Sequence, residues 1–297
     1  MSRALGLLLG YAADRLLGDP RRFHPVAGFG TVAGAVERRT YADARPAGIV
    51  HTTLLVGGAV AVGAALPRTT TTTAVATWAV LGGRSLEREA TAVHAHLAAG
   101  DLPAARQRLT HLVGRDTSAL TADEVARAVI ESVAENTSDA VVAPLAWGAV
   151  AGVPGLLGYR AANTLDAMVG HHNARYEHFG WASARLDDVV NLPGSRLAGL
   201  LATALGGRPT AALEAWRRDA SAHPSPNAGV VESTFAGSLG IRLGGTNTYD
   251  GDRVEHRAVM GDGRPPAPQD IPRATRLATR VGLGAALVAA AAAGRVR

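Results

Sequence analysis

The chain has 297 residues, a net charge of +5, 47% hydrophobic but only 4% aromatic residues, and 19% charged residues; its mean hydropathy is positive, which argues against an ordinary soluble globule. It contains no cysteine, and all thirty basic residues are arginine. These absences exclude a thiol nucleophile, a disulfide, a lysine Schiff base and a lysine-bearing phosphate loop, so any phosphate must be held by arginine, backbone amides or a metal.

Met1 to Ala13 has a basic start and a leucine-rich middle, as a signal peptide would, yet it is expected to be retained because DRLLGDPRRFHPV downstream reads as part of a working site. Asp14 and Asp19 flank the end of this segment, where an ionisable residue at a membrane is functional by default but also suits interfacial water. His24, ahead of Pro25, fits a general base or a loop residue. Ala47 to Leu66 carries no formal charge and, at about 20 residues, is long enough to cross a bilayer. Pro67 and Arg68 turn the chain into a shorter candidate, Thr69 to Gly83. Ala140 to Tyr159 and Leu192 to Gly207, both containing glycine and proline, and the short apolar Val281 to Gly294 are weaker candidates.

Arginines crowd the segments before Ala47 and after Gly83, which puts both on the cytoplasmic side by the positive-inside rule. Polar inserts are expected at 18–46, 84–139, 160–191 and 208–273. A re-entrant hairpin over 140–207 would keep all of them on one face. The expected fold is all-α: a polytopic integral membrane protein, one membrane-embedded domain over 1–297, with cytoplasmic helical and loop inserts.

Within the second insert, helices are expected to stop at Gly100 and Gly114. Thr121 with Glu124 forms a capping box that opens the next helix. On that helix Glu131, Glu135 and Asp139 recur every fourth residue, which stacks three carboxylates on one face. Like charges so placed call for a metal, an arginine or a cationic ligand, although a solvated acidic face fits the spacing as well, and Arg127 lies four residues before Glu131. Arg160, Asn163 and Asp166 share one face of a later helix. Arg185 with Asp188 suits an ordinary salt bridge. The Gly, Pro and Asn density from His223 to Gly251 predicts a loop-rich segment with amides free to bind an anion.

The ordered set DRLLGDPRRFHPV, GRDTSALTADEVARAVIESVAENTSDAVVAPLAW, YRAANTLDAMVGHHNARYEHFGWASARLDD, HPSPNAG and LGGTNTY resembles the adenosylcobinamide-phosphate synthase family of cobalamin biosynthesis, also called the CobD/CbiB family, from about Tyr11 to Tyr249. The chain departs from the family's usual tryptophan-proline after HPSPNAG, where Val230 and Val231 stand, and from its usual aromatic and basic pair at His171 and His172. These departures bear on pocket shape more than on reaction class.

The resemblance implies a multi-pass inner-membrane enzyme, an acid-amine ligase that joins aminopropanol or its phosphate to a carboxyl side chain of adenosylcobyric acid. ATP as cosubstrate and Mg2+ are expected. Expected partners are these two substrates and the lipid bilayer, with a homo-oligomer or contact with later cobalamin-assembly enzymes, and no nucleic acid. The metal candidates are Glu131, Glu135, Asp139, Asp187 and Asp188. Glu135, Asp139, His24, Arg115 and Asp116 are the catalytic candidates, with Arg115 as a bidentate phosphate or carboxylate clamp. Asp14, Asp19, Asn136, Arg160, Asn163, Asp166, Arg185, His223, Asn227 and Asn247 are the candidates for substrate binding. A corrinoid transporter or membrane binding subunit is the alternative reading. A magnesium-dependent membrane prenyltransferase fits less well, because Asp187 and Asp188 are adjacent instead of forming a spaced DxxxD pair.

Overall fold

The computed structural model describes residues 2–19, 24–249 and 253–295. Helices come first: α1 (Ser2–Leu17), α2 (Pro25–Thr40), α3 (Arg45–Ala65), α4 (Thr70–Val80), α5 (Gly83–Ala98), α6 (Leu102–Leu109) and α7 (Ala122–Thr137). After a π turn at Ser138–Val142 follow α8 (Ala143–Ala151), α9 (Val153–Val169), α10 (Trp181–Val190), α11 (Leu192–Leu205), α12 (Pro209–Asp219) and α13 (Ala228–Leu239). A β1 (Leu243–Tyr249) and β2 (Arg253–Met260) pair precedes α14 (Ile271–Arg295). The chain packs as two compact units, one of Met1–Gly82, Asp139–Gly194 and Ala285–Arg297, the other of Gly83–Ser138 and Ser195–Gly284.

In the first unit α1 lies against α4. A Cβ at Gly6 or Gly10 would collide with the side chains of Thr73 or Thr77, so these small residues set how closely the helices approach. Proline in the first turn opens α3, where a missing N–H costs nothing, and the helix stops ahead of Pro67, whose ring disfavours a helical residue before it. α3 packs on α9, and Ala33, Leu55 and Leu165 form a buried cluster with Phe29 and Met168 against it. Gly152, at φ 67°, separates α8 from α9.

Among the described residues two helices are long and apolar enough to cross a bilayer by length and composition, Arg45–Ala65 and Pro268–Arg295. Both expose large apolar side chains, among them Val50, Leu54 and Val62 on the first and Leu283 and Leu287 on the second. The other expected spans are shorter or broken. α4 has 11 residues, about 16 Å of helix against the roughly 30 Å of a hydrocarbon core. Ala140 to Tyr159 is interrupted by the π turn and by Gly152, and α11 has 14 residues.

In the second unit the Thr121–Glu124 capping box opens α7 as the sequence predicts. The segment after His223 corrects the loop-rich expectation: turns run only to Asn227, and α13 is buried along its whole length. Its glycines serve close packing, not chain reversal, since a Cβ at Gly237 would lie 2.5 Å from the Ala211 carbonyl oxygen of α12. The fold is mostly helical, as the sequence predicts, and the described residues add one antiparallel pairing of β1 with β2, which shifts register between Leu243 and Gly245. Gly244 and Gly245, at φ 83° and 99°, supply the left-handed backbone that such a bulge needs.

Candidate functional site

Three side chains in the second unit converge. Glu135 near the end of α7, His223 in the turn after α12, and Glu232 in the middle of α13 place one ligand atom each within 4.8 Å of one another. Nε2 of His223 lies 3.6 Å from Oε1 of Glu232, which is 0% exposed. Burying an ionised carboxylate carries a large desolvation cost that burying a Val or Leu does not, and a cation or hydrogen bonds must offset it. The His223 ring is set from behind by Ser225, whose N–H lies 3.0 Å and whose carbonyl lies 3.3 Å from Nδ1. Accepting from that N–H leaves the proton on Nε2, whereas donating to that carbonyl frees the Nε2 lone pair for a metal, so both tautomers are supported.

Two carboxylates and an imidazole make a donor set for a divalent cation. Mg2+ takes one or two carboxylates and keeps several waters, which Glu135 and Glu232 satisfy; the imidazole tilts preference toward softer first-row ions. Of the metal ligands expected from sequence, this set contains only Glu135. Glu232 escaped the sequence reading, although a lone acid within AGVVESTFAGSL was the available signal: a charge inside an apolar helix needs a partner.

His223 also lines an open cavity of about 640 Å³ with Arg196, Trp216, Arg217 and Val230 among its other walls. Arg196 is oriented by Asn227, whose Oδ1 accepts from Nη1 of Arg196 at 2.9 Å and from the Ser195 hydroxyl at 2.8 Å. Asn227 thus shapes this cavity wall, and the valine departure from the resembled motif falls on the same wall at Val230. A second cavity of about 150 Å³ is lined by Arg115, Glu131, Ser132 and Glu135.

Around that smaller cavity the expected roles change. Nη2 of Arg115 donates to Glu131 at 3.1 Å, the other Glu131 oxygen accepts from the Gly244 N–H at 2.9 Å, and Arg127 reaches Glu131 at 3.9 Å and the Gly244 carbonyl at 2.6 Å. Glu131 is therefore tied by two arginines and the β1 bulge, and it does not join Glu135 in a donor set. The α-helical spacing behind the three-carboxylate face also ends at Thr137, and Asp139 lies in the π turn and belongs to the first unit. Asp116 accepts from the Ser118 N–H at 2.8 Å in an exposed turn, and that hydrogen bond holds its carboxyl below the usual range. Asn136 folds back on its own helix, donating to Ser132.

In the first unit, Asp14 is fully buried on α1. Nδ1 of His24 accepts from Val26 N–H as the N-cap of α2, with Nε2 3.8 Å from Asp19, so a structural part is assigned to the residue expected as a general base. Arg160 meets Asn163 at 3.5 Å, Asn163 donates to Asp187 at 3.3 Å, and Asn191 donates to Asp139 at 2.5 Å. Burial, and then the Asp166 carboxylate, push Asp187 up to about 7. Burial also raises Asp166 and Asp188, while exposed Arg185 pairs with Asp188 at 3.5 Å. Asn247 stands opposite Glu255 in the hairpin, and its side chain lies outside the described residues.

A family model described as CobD/Cbib protein matches residues 7–278. The chain is 50% identical over 298 residues to the cobalamin biosynthesis protein CobD of Mycobacterium tuberculosis, covering 97% of this chain and 95% of the relative. It is 45% identical over 306 residues to the protein of that name from Chromobacterium violaceum, covering 98% and 97%, and 45% identical over 276 residues to that from Geobacter metallireducens, covering 86% of each. No solved structure matches the chain. With the family model matching most of its length and relatives about half identical along nearly all of it, the chain belongs to the CobD/Cbib protein family.

Proposed function

We propose that this chain, a cobalamin-biosynthesis protein by family, is an ATP-dependent acid-amine ligase that joins aminopropanol or its phosphate to adenosylcobyric acid. The observation that carries the reading is the convergence of Glu135, His223 and Glu232 at the edge of a cavity bearing Arg196, Arg217 and Trp216. A volume of about 640 Å³ is in the range of small-molecule sites. Guanidinium groups grip phosphate oxygens in pairs, and an indole offers a face for a nucleobase or corrin amide.

In this scheme a carboxylate oxygen of adenosylcobyric acid takes the terminal phosphoryl group of ATP and ADP leaves. The amine nitrogen then attacks the acyl carbon, the C–O bond to phosphate breaks, and one N–H proton passes to a base as the amide forms. A divalent cation held by Glu135 and Glu232, with His223, would supply charge neutralisation for the phosphates. Arg196 and Arg217 bind and orient the anionic groups, and the apolar wall at Val230 limits water.

The apolar outer faces of α3 and α14 support placement in the cell membrane, multi-pass, with the polar segments cytoplasmic. Purified protein given adenosylcobyric acid, aminopropanol phosphate and ATP is expected to yield adenosylcobinamide phosphate and ADP by mass spectrometry. Tight corrinoid binding with intact substrate would instead support a binding or transport role.

A further inference from the structure

The second unit carries arginines that its own acids leave uncompensated. Arg276 and Arg280 are exposed on α14, one turn apart, and Nη1 of Arg280 meets the Leu205 carbonyl at the end of α11 at 3.4 Å. Arg208, also exposed, follows shortly after Leu205, and its guanidinium occupies the space that a Cβ at Gly240 would need, just past α13. The same end of α13 holds α14, because Nη2 of Arg273 donates to the Leu239 carbonyl at 2.8 Å. Arg208, Arg276 and Arg280 are thus gathered where α11 and α13 end against α14. The acid on this stretch, Asp270, is 0% exposed and already takes Arg264 at 2.7 Å and Arg273 at 2.6 Å. Among the described residues no carboxylate pairs with Arg208, Arg276 or Arg280.

The surface does not stay polar. Positions 276, 280 and 283 fall on one side of α14, and Leu283 is 52% exposed. Leu200 and Leu205 of α11 are exposed as well, and α11 runs beside Gly284, where a Cβ would lie 3.1 Å from Leu201. Unpaired guanidiniums therefore border bare leucines on the same two helices. Leu283 opens the apolar half of a helix long enough to cross a bilayer. A nucleic acid or free phosphate would answer the charge and leave the leucines in water. A phospholipid answers both, with an anionic phosphodiester and an acyl chain in one molecule. We propose that Arg208, Arg276 and Arg280 hold the phosphate groups of anionic phospholipids, with Leu200, Leu205 and Leu283 against the acyl chains. Guanidinium grips phosphate oxygens in pairs, and each such cation at an anionic leaflet adds to the attraction. The inference rests on the membrane placement given above and is independent of the ligation chemistry.

The full chain in a neutral detergent is titrated with short-chain phosphatidylglycerol, short-chain phosphatidylcholine and inorganic phosphate, and the rise in unfolding midpoint reports binding. Phosphatidylglycerol is expected to bind at least about tenfold more tightly than phosphatidylcholine, one decade in Kd, and added salt to narrow that gap. Arg208→Gln, Arg276→Gln and Arg280→Gln are each expected to raise the phosphatidylglycerol Kd about fivefold, and the triple variant about a hundredfold. Arg88→Gln, which removes an exposed arginine beside Glu89, is expected to leave it unchanged. Should the triple variant fail to fold, the wild type alone decides, through the two lipids compared by native mass spectrometry. Equal affinity for the two lipids, an unchanged Kd in the triple variant, or inorganic phosphate bound as tightly as phosphatidylglycerol each overturns the site. A chain recovered in solution without detergent sinks the membrane placement, and phosphatidylglycerol vesicles then serve as the probe. Vesicle binding that the triple variant loses keeps the site; vesicle binding that it retains overturns it.

Discussion

Arg115 and Glu131 form an ion pair of 3.1 Å with each side chain only 5% exposed. The second Glu131 oxygen accepts from the backbone N–H of Gly244, so one carboxylate joins the turn before α7 to the β1 bulge. Removing either partner strands a buried charge, which costs about 3–5 kcal/mol. Arg115→Ala and Glu131→Ala are each expected to lower stability by that amount in denaturant unfolding, and the double variant by less than the sum. Equal additive losses would show that the two side chains do not act as a pair.

Glu135→Gln and Glu232→Gln are expected to abolish divalent-cation binding in calorimetry and to lower ligation by a factor on the order of 100 or more, as removing an electrostatic anchor from a reacting site does. Because His223 contributes an imidazole, Mn2+ is expected to bind more tightly than Mg2+ in the wild type. That preference should shrink in His223→Gln, which offers an amide oxygen in place of the imidazole nitrogen. A wild type that binds both ions alike would exclude His223 from the donor set.

Asp187 makes stability depend on pH. Burial raises its folded-state pKa from 3.8 to about 7, so between those values the folded chain holds a proton that the unfolded chain has released. Stability is therefore expected to fall as pH rises from 3.8 to about 7, through the proton that the neighbouring Asp166 and Asp187 hold only in the folded state. Thermal unfolding of the wild type and Asp187→Asn at pH 5 and pH 8 checks this. The wild type should lose stability toward pH 8, and the variant should lose less.

Gly237 sits where α13 meets α12, and a Cβ there would lie 2.5 Å from the Ala211 carbonyl oxygen. Backbone cannot yield as a side-chain tip can. Gly237→Ala is expected to destabilise the second unit by about 1–3 kcal/mol, measured as a lower unfolding midpoint, in spite of alanine's better helix propensity.

Much of the local structure was legible. The Thr121–Glu124 capping box, the ends of α3 at Pro67 and of α5 near Gly100, and the apolar character of the Ala47 to Leu66 stretch all depend on neighbouring residues and emerge as read. The polar face of Arg160, Asn163 and Asp166 also follows from helical spacing, and hydrogen bonds link its first two members. The hairpin and the buried α13 were not legible, because glycine has one signature in sequence for two purposes. At Gly244 it admits a left-handed backbone, whereas at Gly237 it admits a neighbouring helix.

The candidate site divides in the same way. From the sequence alone follow the absence of thiol and lysine chemistry, the family, and a chain rich in arginine and carboxylate, because these depend only on which residues are present and in what order. The tertiary structure decided which carboxylates act together. Glu131, Glu135 and Asp139 are near neighbours in sequence, yet Glu131 is consumed by Arg115 and Gly244, Asp139 by Asn191, and Glu135 alone meets His223 and Glu232. A donor set requires ligand atoms within a few ångströms, and Glu135 and Glu232, almost a hundred residues apart, meet that condition only once α7 and α13 have packed.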